Sequence, residues 1–306
     1  MKKTIMIFGI SSFIGSNLIE QLKDEFRIIG TYHKTPVVIS GVTSLPCDVL
    51  RKEYVSSLVA LFRPDVIVYA IGLNSLSTCE KFSKQCEALN TTGAVNCAMA
   101  SDRYSSKFIY FSSAFVLNGN DVQVRESETP FPQTNYGKTL SSTEFYIQRT
   151  CLNYVILRCS SIYGRGYGKT SRNWFEHLQY SLANGEQIIV DNSIHTGFLD
   201  PVFLGDAVKV IVKRNISNRL LNLSSKDFFT RFEFARTYAK IFRKDLALVQ
   251  PGIGEFPGAN RSDVEEVGEL YFKLDTTSLE ELTSLSMPKI EQSLKLSQKR
   301  WCQLTR

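Results

Sequence analysis

The residue types that could do chemistry sit in two short runs, Ser112-Ser113 and Tyr136-Gly137-Lys138-Thr139-Leu140. A tyrosine hydroxyl can give a proton to a developing alkoxide when a nearby cation lowers its pKa. A serine hydroxyl can hold the oxygen on which that alkoxide forms. A helical offset of four residues brings two side chains to one face. The residue four beyond Tyr136 is Leu140, and Lys138 is offset by only two. Two residues turn a helix by about 200°, so Lys138 should point away. Leu140 itself reads as core packing, and Tyr136 taken alone reads as a structural aromatic.

The elements that must position these residues follow a regular pattern. Ile5 to Phe8 is a continuous apolar run, as in a strand covered on both faces. Phe13, Ile14, Leu18, Ile19 and Leu22 then recur at helical spacing. Further strands are expected at 26–31, 43–45, 65–70, 108–111 and 154–157. Helices are expected at 55–62, from Glu80 to Arg103, and from Tyr136 to Arg149. Strands alternating with helices imply an α/β fold, a Rossmann-type doubly wound parallel sheet. After Gly164 the pattern loosens. Ile188-Ile189-Val190 reads as a strand and Asp206 to Val212 as a helix returning to the main sheet. The expected division is therefore a dinucleotide-binding domain at 1–164 plus about 185–215. A smaller α/β substrate lobe takes about 165–184 plus 216–306.

Between the first strand and first helix lies Gly9-Ile10-Ser11-Ser12-Phe13-Ile14-Gly15. Glycines in such a turn let backbone N–H groups approach a pyrophosphate at the helix N-terminus. Ser12 lies in this turn, where its Cβ could crowd a phosphate; the plainer reading is an ordinary strand–turn–helix with Ser12 as N-cap. The second strand ends Thr31-Tyr32-His33-Lys34, without the acid that would hold a ribose hydroxyl. Thr31, His33 and Lys34 could meet a 2′-phosphate, which favours NADP over NAD.

These runs resemble the extended short-chain dehydrogenase/reductase superfamily. The match rests on Phe108 to Val116, where Val116 fixes the register and selects Ser113, and on Pro130-Phe131-Pro132-Gln133-Thr134-Asn135-Tyr136-Gly137-Lys138. Asn90, Glu144, Arg158 and the pair Asn173 and Phe175 match as well. The resemblance covers most of residues 1 to about 215 and is nearest to the dTDP-4-dehydrorhamnose reductase branch. It implies Tyr136 as acid, Ser113 as carbonyl orienter and Asn90 as support for the proton path. It implies NADP, with NAD as the lesser choice, held by Gly9 to Gly15 with Asp48, Val49, Ala70 and Gly72. It implies a nucleotide sugar held by Ser75, Asn173, Trp174 and Arg165. The chain departs from the family at Leu140, where a lysine belongs, at Ser12, at Tyr69-Ala70-Ile71-Gly72-Leu73, and at Ser77. A catalytically impaired binding or regulatory protein on the same scaffold is the alternative; an epimerase or dehydratase is a weaker one. Further nucleotide or diphosphate contacts are expected near Tyr167, Arg172 and Arg261. His195 is expected to be structural or to line the mouth of the site, and Glu265, Glu266 and Glu269 a solvated face.

Bulk properties narrow the remaining classes. A net charge of +6 is spread along the 306 residues without a basic run, which argues against a nucleic-acid surface and suits an acidic small ligand. Seven cysteines without a Cys-x-x-Cys are expected to be reduced, mostly buried thiols of a cytoplasmic protein. The histidines at 33, 177 and 195 are too scattered for a zinc site. The first residues read as a buried strand rather than a signal peptide, and no stretch is apolar enough to span a membrane. A homodimer is a possible assembly.

Overall fold

The computed structural model describes residues 2–166, 172–252 and 269–304. The central sheet contains β1 (Thr4–Phe8), β2 (Arg27–Tyr32), β3 (Thr43–Pro46), β4 (Val66–Tyr69) and β5 (Lys107–Ser113). The chain continues through β6 (Asn120–Val124), β7 (Tyr154–Cys159), β8 (Ser161–Ile162), β9 (Ile188–Asp191), β10 (Ile194–Thr196) and β11 (Phe198–Leu199). The last strands are β12 (Arg219–Leu223), β13 (Val249–Gly252) and β14 (Leu270–Leu274). The main sheet is seven-stranded in the order β12-β7-β5-β4-β1-β2-β3, and every pairing in it is parallel. The order reverses between β1 and β4, as a doubly wound sheet requires.

The helices are α1 (Phe13–Leu22), α2 (Lys52–Phe62), α3 (Leu76–Lys81), α4 (Ser83–Glu87), α5 (Gly93–Arg103) and α6 (Asn135–Thr150), followed by α7 (Trp174–Ala183), α8 (Pro201–Lys213) and α9 (Arg231–Ile241). Alternation along β1 feeds both faces of the sheet. Ile5 and Ile7 join Leu18, Ile19 and Leu22 of α1 and Leu204, Val208 and Ile211 of α8. Met6 and Phe8 face Val55 and Val59 of α2, Ala94 and Cys97 of α5, and Leu140 and Ile147 of α6.

The expected long helix from Glu80 to Arg103 is broken in two places. Phe82, with φ −123° and ψ 54°, ends α3 and starts α4. Ala88–Thr92 is then a π-helical turn leading into α5. The break folds Cys79 back towards Cys86, and the two sulfurs form a disulfide. That corrects the expectation of thiols for these two residues. Cys47, Cys97, Cys151 and Cys159 are buried thiols.

The domain boundary also differs from the expected one. Arg219–Leu223 is the seventh strand of the main sheet, pairing with β7 from Arg219↔Val155 to Leu223↔Cys159, although it falls after 216. Its apolar run is short and carries no helix pattern of its own, so periodicity alone does not assign it to either body. The remaining strands form the sheets β13-β9, β11-β8 and β10-β14-β6, and the last of these packs Val124, Phe272 and Leu274 into the apolar cluster on the α5 side of the main sheet. A separate aromatic core buries Tyr163, Phe175, Phe198, Phe234 and Tyr238 together with Val190 of β9 and Val249 of β13. Among the described residues, no helix is long and apolar enough to cross a membrane. Tyr167, Arg261, Glu265 and Glu266 lie outside the described residues.

Candidate active site

The turn after β1 has the shape its glycines suggest. Gly9 has φ +94°, a region that side chains avoid, and a Cβ there would lie 2.5 Å from Ile71 Cγ1. A Cβ on Gly15 would lie 2.2 Å from the carbonyl oxygen of Gly9. The turn is thus pressed against both the start of α1 and the segment after β4. Ser12 has φ −74°, so no glycine is needed there, and its hydroxyl accepts the N–H of Gly15 at 2.9 Å. The serine is the N-cap of α1, the second of the two expectations for it. Ser11, Phe13 and Ile14 are half-buried around the same turn, with Ala70 and Gly72 at the end of β4.

The residues at the end of β2 and beyond it separate into two groups. His33 and Lys34 are exposed. Thr31 is buried within the sheet, and its hydroxyl has no hydrogen-bond partner. It is therefore corrected from phosphate contact to sheet interior; its carbonyl instead accepts the N–H groups of Gly9 and Ile10. Strand alternation explains this, since Thr31 points to the same side as the core residue Ile29. Val49 is likewise buried in the core, and its carbonyl accepts the Asn96 amide at 2.9 Å. Asp48 is half-buried and accepts the N–H of Leu50 at 3.0 Å.

Ser113 and Tyr136 come together at the carboxyl end of β5. Thr134 caps α6 by accepting the N–H of Gly137 at 3.1 Å, which fixes the turn that carries Tyr136. Burial pushes the Tyr136 phenol up to about 12, against a lowering hydrogen bond with the Ser113 hydroxyl, and the nearby Cys159 adds to the rise. Cys159 is the strand partner of Ser113 across β5 and β7. Leu140 is buried in the apolar cluster beside α5, and Lys138 is exposed, as the helical offsets indicated. Among the groups that shift the phenol there is no cation to offset the burial.

Asn90 sits in the π-helical turn, a feature frequent at functional sites. Its amide is engaged throughout. The oxygen accepts the N–H of Leu73 at 2.8 Å, and the nitrogen donates to the Leu73 carbonyl at 3.0 Å and to Thr139 Oγ1 at 3.2 Å. Its backbone carbonyl, displaced by the π turn, accepts the Thr143 hydroxyl at 3.0 Å. Asn90 therefore links β4 to the tyrosine helix. Thr139 and Thr143 were missed in the sequence, although they lie three and seven residues after Tyr136 on the face that turns inward.

The expected sugar contacts scatter into local structure. Ser75 caps α3, accepting the N–H of Thr78 at 3.2 Å. Asn173 caps α7 in a reciprocal capping box with Glu176 and donates to the Gly164 carbonyl at 3.0 Å. Trp174 packs edge-on against Phe198 and Phe234, with centroids 5.8 and 5.4 Å away. Arg165 is exposed, donates to Gln179 at 3.2 Å and lies over Trp301 at 5.0 Å. Arg172, another expected contact, lies over the Tyr180 ring at 3.7 Å. His195 stacks on Tyr271, 4.6 Å between centroids, in the small three-stranded sheet. None of these joins the Ser113–Tyr136 pair through a direct contact among the described residues.

Arg158 and Glu144 form a buried ion pair behind the site, with Nη2 to Oε2 at 2.7 Å and Nε to Oε1 at 3.0 Å. It ties α6 to β7 and so holds the tyrosine helix on the sheet.

Known proteins resemble this chain in sequence and in fold. The dTDP-4-dehydrorhamnose reductase of Aggregatibacter actinomycetemcomitans is 23% identical over 238 residues, 76% of each chain. The spore coat polysaccharide biosynthesis protein SpsK of Bacillus subtilis (strain 168) is 24% identical over 211 residues, 68% of each chain. The crystal structure of dTDP-4-dehydrorhamnose reductase from Bacillus anthracis str. Ames in complex with NADP superposes with a TM-score of 0.81 at 21% identity, covering 98% of this chain and 99% of that one. The family model of the RmlD substrate binding domain matches residues 1–299, and the chain belongs to that family.

Proposed function

We propose that this protein is an NADP-dependent reductase of a nucleotide-linked keto sugar. The observation that carries the reading is the juxtaposition of Ser113 and Tyr136 at the carboxyl edge of the sheet, which also carries the glycine-shaped turn after β1. The names of two relatives, a dTDP-4-dehydrorhamnose reductase and a polysaccharide biosynthesis protein, support a sugar-nucleotide substrate. A solved neighbour in complex with NADP supports the cofactor. The turn fits it: Gly9 and Gly15 let the chain pack tightly between the segment after β4 and the start of α1, where a pyrophosphate can approach the helix N-terminus. His33 and Lys34 stand beyond β2 for a 2′-phosphate. When bound, the reduced cofactor supplies the hydride.

The chain's own residues do the rest. The Ser113 hydroxyl holds the sugar carbonyl oxygen, and Tyr136 gives that oxygen a proton as negative charge develops on it. The phenolate left behind takes up a proton before the next turnover. The phenol's pKa, raised by burial, leaves it protonated at neutral pH but makes it a weaker acid than a phenol beside a cation would be.

Leu140 favours a second reading, a protein that binds NADP or a nucleotide sugar without turnover. One experiment separates the two: hydride transfer from NADPH with a panel of nucleotide keto sugars, in wild type and Tyr136→Phe. The reductase reading expects turnover that falls by on the order of 10² to 10⁴ in the variant, with cofactor binding retained. Binding without turnover in wild type leaves the second reading.

A further inference from the structure

We propose that Glu80 is a positioning residue for Tyr136, setting the first turn of α6 from outside the helix. The inference rests on the reductase reading and adds a residue to its machinery. Glu80 lies on α3, 56 positions before the tyrosine, and nothing in its sequence surroundings marks it. In the fold its carboxylate grips Asn135, the residue next to Tyr136, with both oxygens. Oε1 accepts the Asn135 backbone N–H at 2.7 Å, and Oε2 accepts the Asn135 side-chain amide at 2.5 Å.

The grip is one of two from the same hairpin. Cys86, on α4, places its sulfur 3.7 Å from Thr139 Oγ1 and 3.2 Å from the Asn90 amide nitrogen. Asn135 and Thr139 are four residues apart, one turn of helix, and Tyr136 lies between them. The Cys79–Cys86 disulfide joins α3 to α4, so both contacts belong to one stapled piece. Leu140 is buried in the apolar cluster on the inner side of this turn, and Glu80 supplies a polar anchor from the outside. A carboxylate at the N-terminus of a 16-residue helix is also electrostatically favoured.

A merely structural role is the competing account, because an exposed carboxylate accepting two hydrogen bonds at a helix end adds a little stability anywhere. The test therefore needs readouts that stability alone does not move. Glu80 is exposed, so its variants should fold. Two variants are compared with wild type: Glu80→Ala, which removes both acceptors, and Glu80→Gln, which keeps an acceptor for the Asn135 N–H. Tyrosine labelled with 13C at the phenolic carbon reports the Tyr136 environment, assigned through Tyr136→Phe. Steady-state reduction of a nucleotide keto sugar reports kcat and KM.

The proposal expects the Tyr136 resonance to move in Glu80→Ala and to return in Glu80→Gln. It expects kcat to fall roughly tenfold in the alanine variant, with KM unchanged and the glutamine variant returning towards wild type. An unmoved resonance overturns it. So does a moved resonance with unchanged kcat, or a loss of kcat that tracks the melting temperature and is not rescued by glutamine. If the wild-type protein turns over no nucleotide keto sugar, the reductase reading fails, and the resonance alone decides the role of Glu80.

Discussion

Leu140 lies one helical turn beyond Tyr136, and both side chains pack against the same apolar cluster on the α5 side of the sheet. The position from which a cation would stabilise the phenolate is filled with hydrocarbon. Several consequences of that arrangement, and of the site around it, can be measured.

Leu140→Lys should raise turnover per folded molecule, because a cation at that offset lowers the Tyr136 pKa. It should also lower the melting temperature, since an ammonium placed at a buried position of apolar packing costs about 2 kcal/mol or more. Steady-state rates with thermal unfolding check both. Unchanged turnover in a folded variant would show that the missing cation does not limit the reaction.

The pH profiles should differ by direction. Tyr136 is raised to about 12, so its protonated form is complete from acid through mildly alkaline pH. Ketone reduction should be level in kcat between about pH 6 and 9. Alcohol oxidation needs the phenolate and should climb roughly tenfold per pH unit below that pKa. A reductive kcat that falls above pH 7 would contradict a phenol held this high.

Cofactor choice should depend on Lys34. Lys34→Glu replaces an exposed cation beyond β2 by the acid that ribose hydroxyls prefer. Calorimetry is expected to show weaker NADP binding and little change for NAD. Equal losses for both cofactors would move the 2′-phosphate away from this segment.

Ser12 should prove to be a cap rather than an obstruction. Because its hydroxyl holds the N–H of Gly15, Ser12→Ala is expected to lose about 1 kcal/mol and Ser12→Gly a few tenths. Cofactor affinity should not improve in the glycine variant. A clear gain in affinity would mean that the Cβ does crowd the phosphates.

Glu144→Ala should be among the most damaging substitutions outside the site. It leaves the Arg158 guanidinium buried without its carboxylate, a loss of about 3–5 kcal/mol. Glu144→Leu combined with Arg158→Met should recover much of that stability, as read by urea unfolding.

Much of this arrangement was legible in the sequence. The alternation of apolar runs placed six of the seven central strands, and helical offsets alone put Leu140 inside and Lys138 outside. What escaped was set by tertiary geometry. Thr31 reads as a strand-end polar residue, yet strand alternation points it inward. The apolar spacing from Glu80 to Arg103 is compatible with one helix, and only the backbone at Phe82 and the π turn show two breaks. Arg219–Leu223 has no local mark of the sheet it joins. Ser75 and Asn173 have the residue types of polar ligands and also of helix caps, and the structure engages them as caps. Glu80 meets Asn135 across 55 positions, a distance no local pattern encodes.

The π turn at Ala88–Thr92 works as an indexing notch between two parts of the chain. An α-helix advances by about 100° per residue, so deleting one residue there would rotate the α3–α4 hairpin by roughly that angle relative to α5. Glu80 would swing off Asn135, and Cys86 would leave Thr139, while the sheet and its glycine turn stayed as they are. In this family member, single-residue length changes between positions 88 and 92 should be tolerated by the fold and not by the setting of the tyrosine.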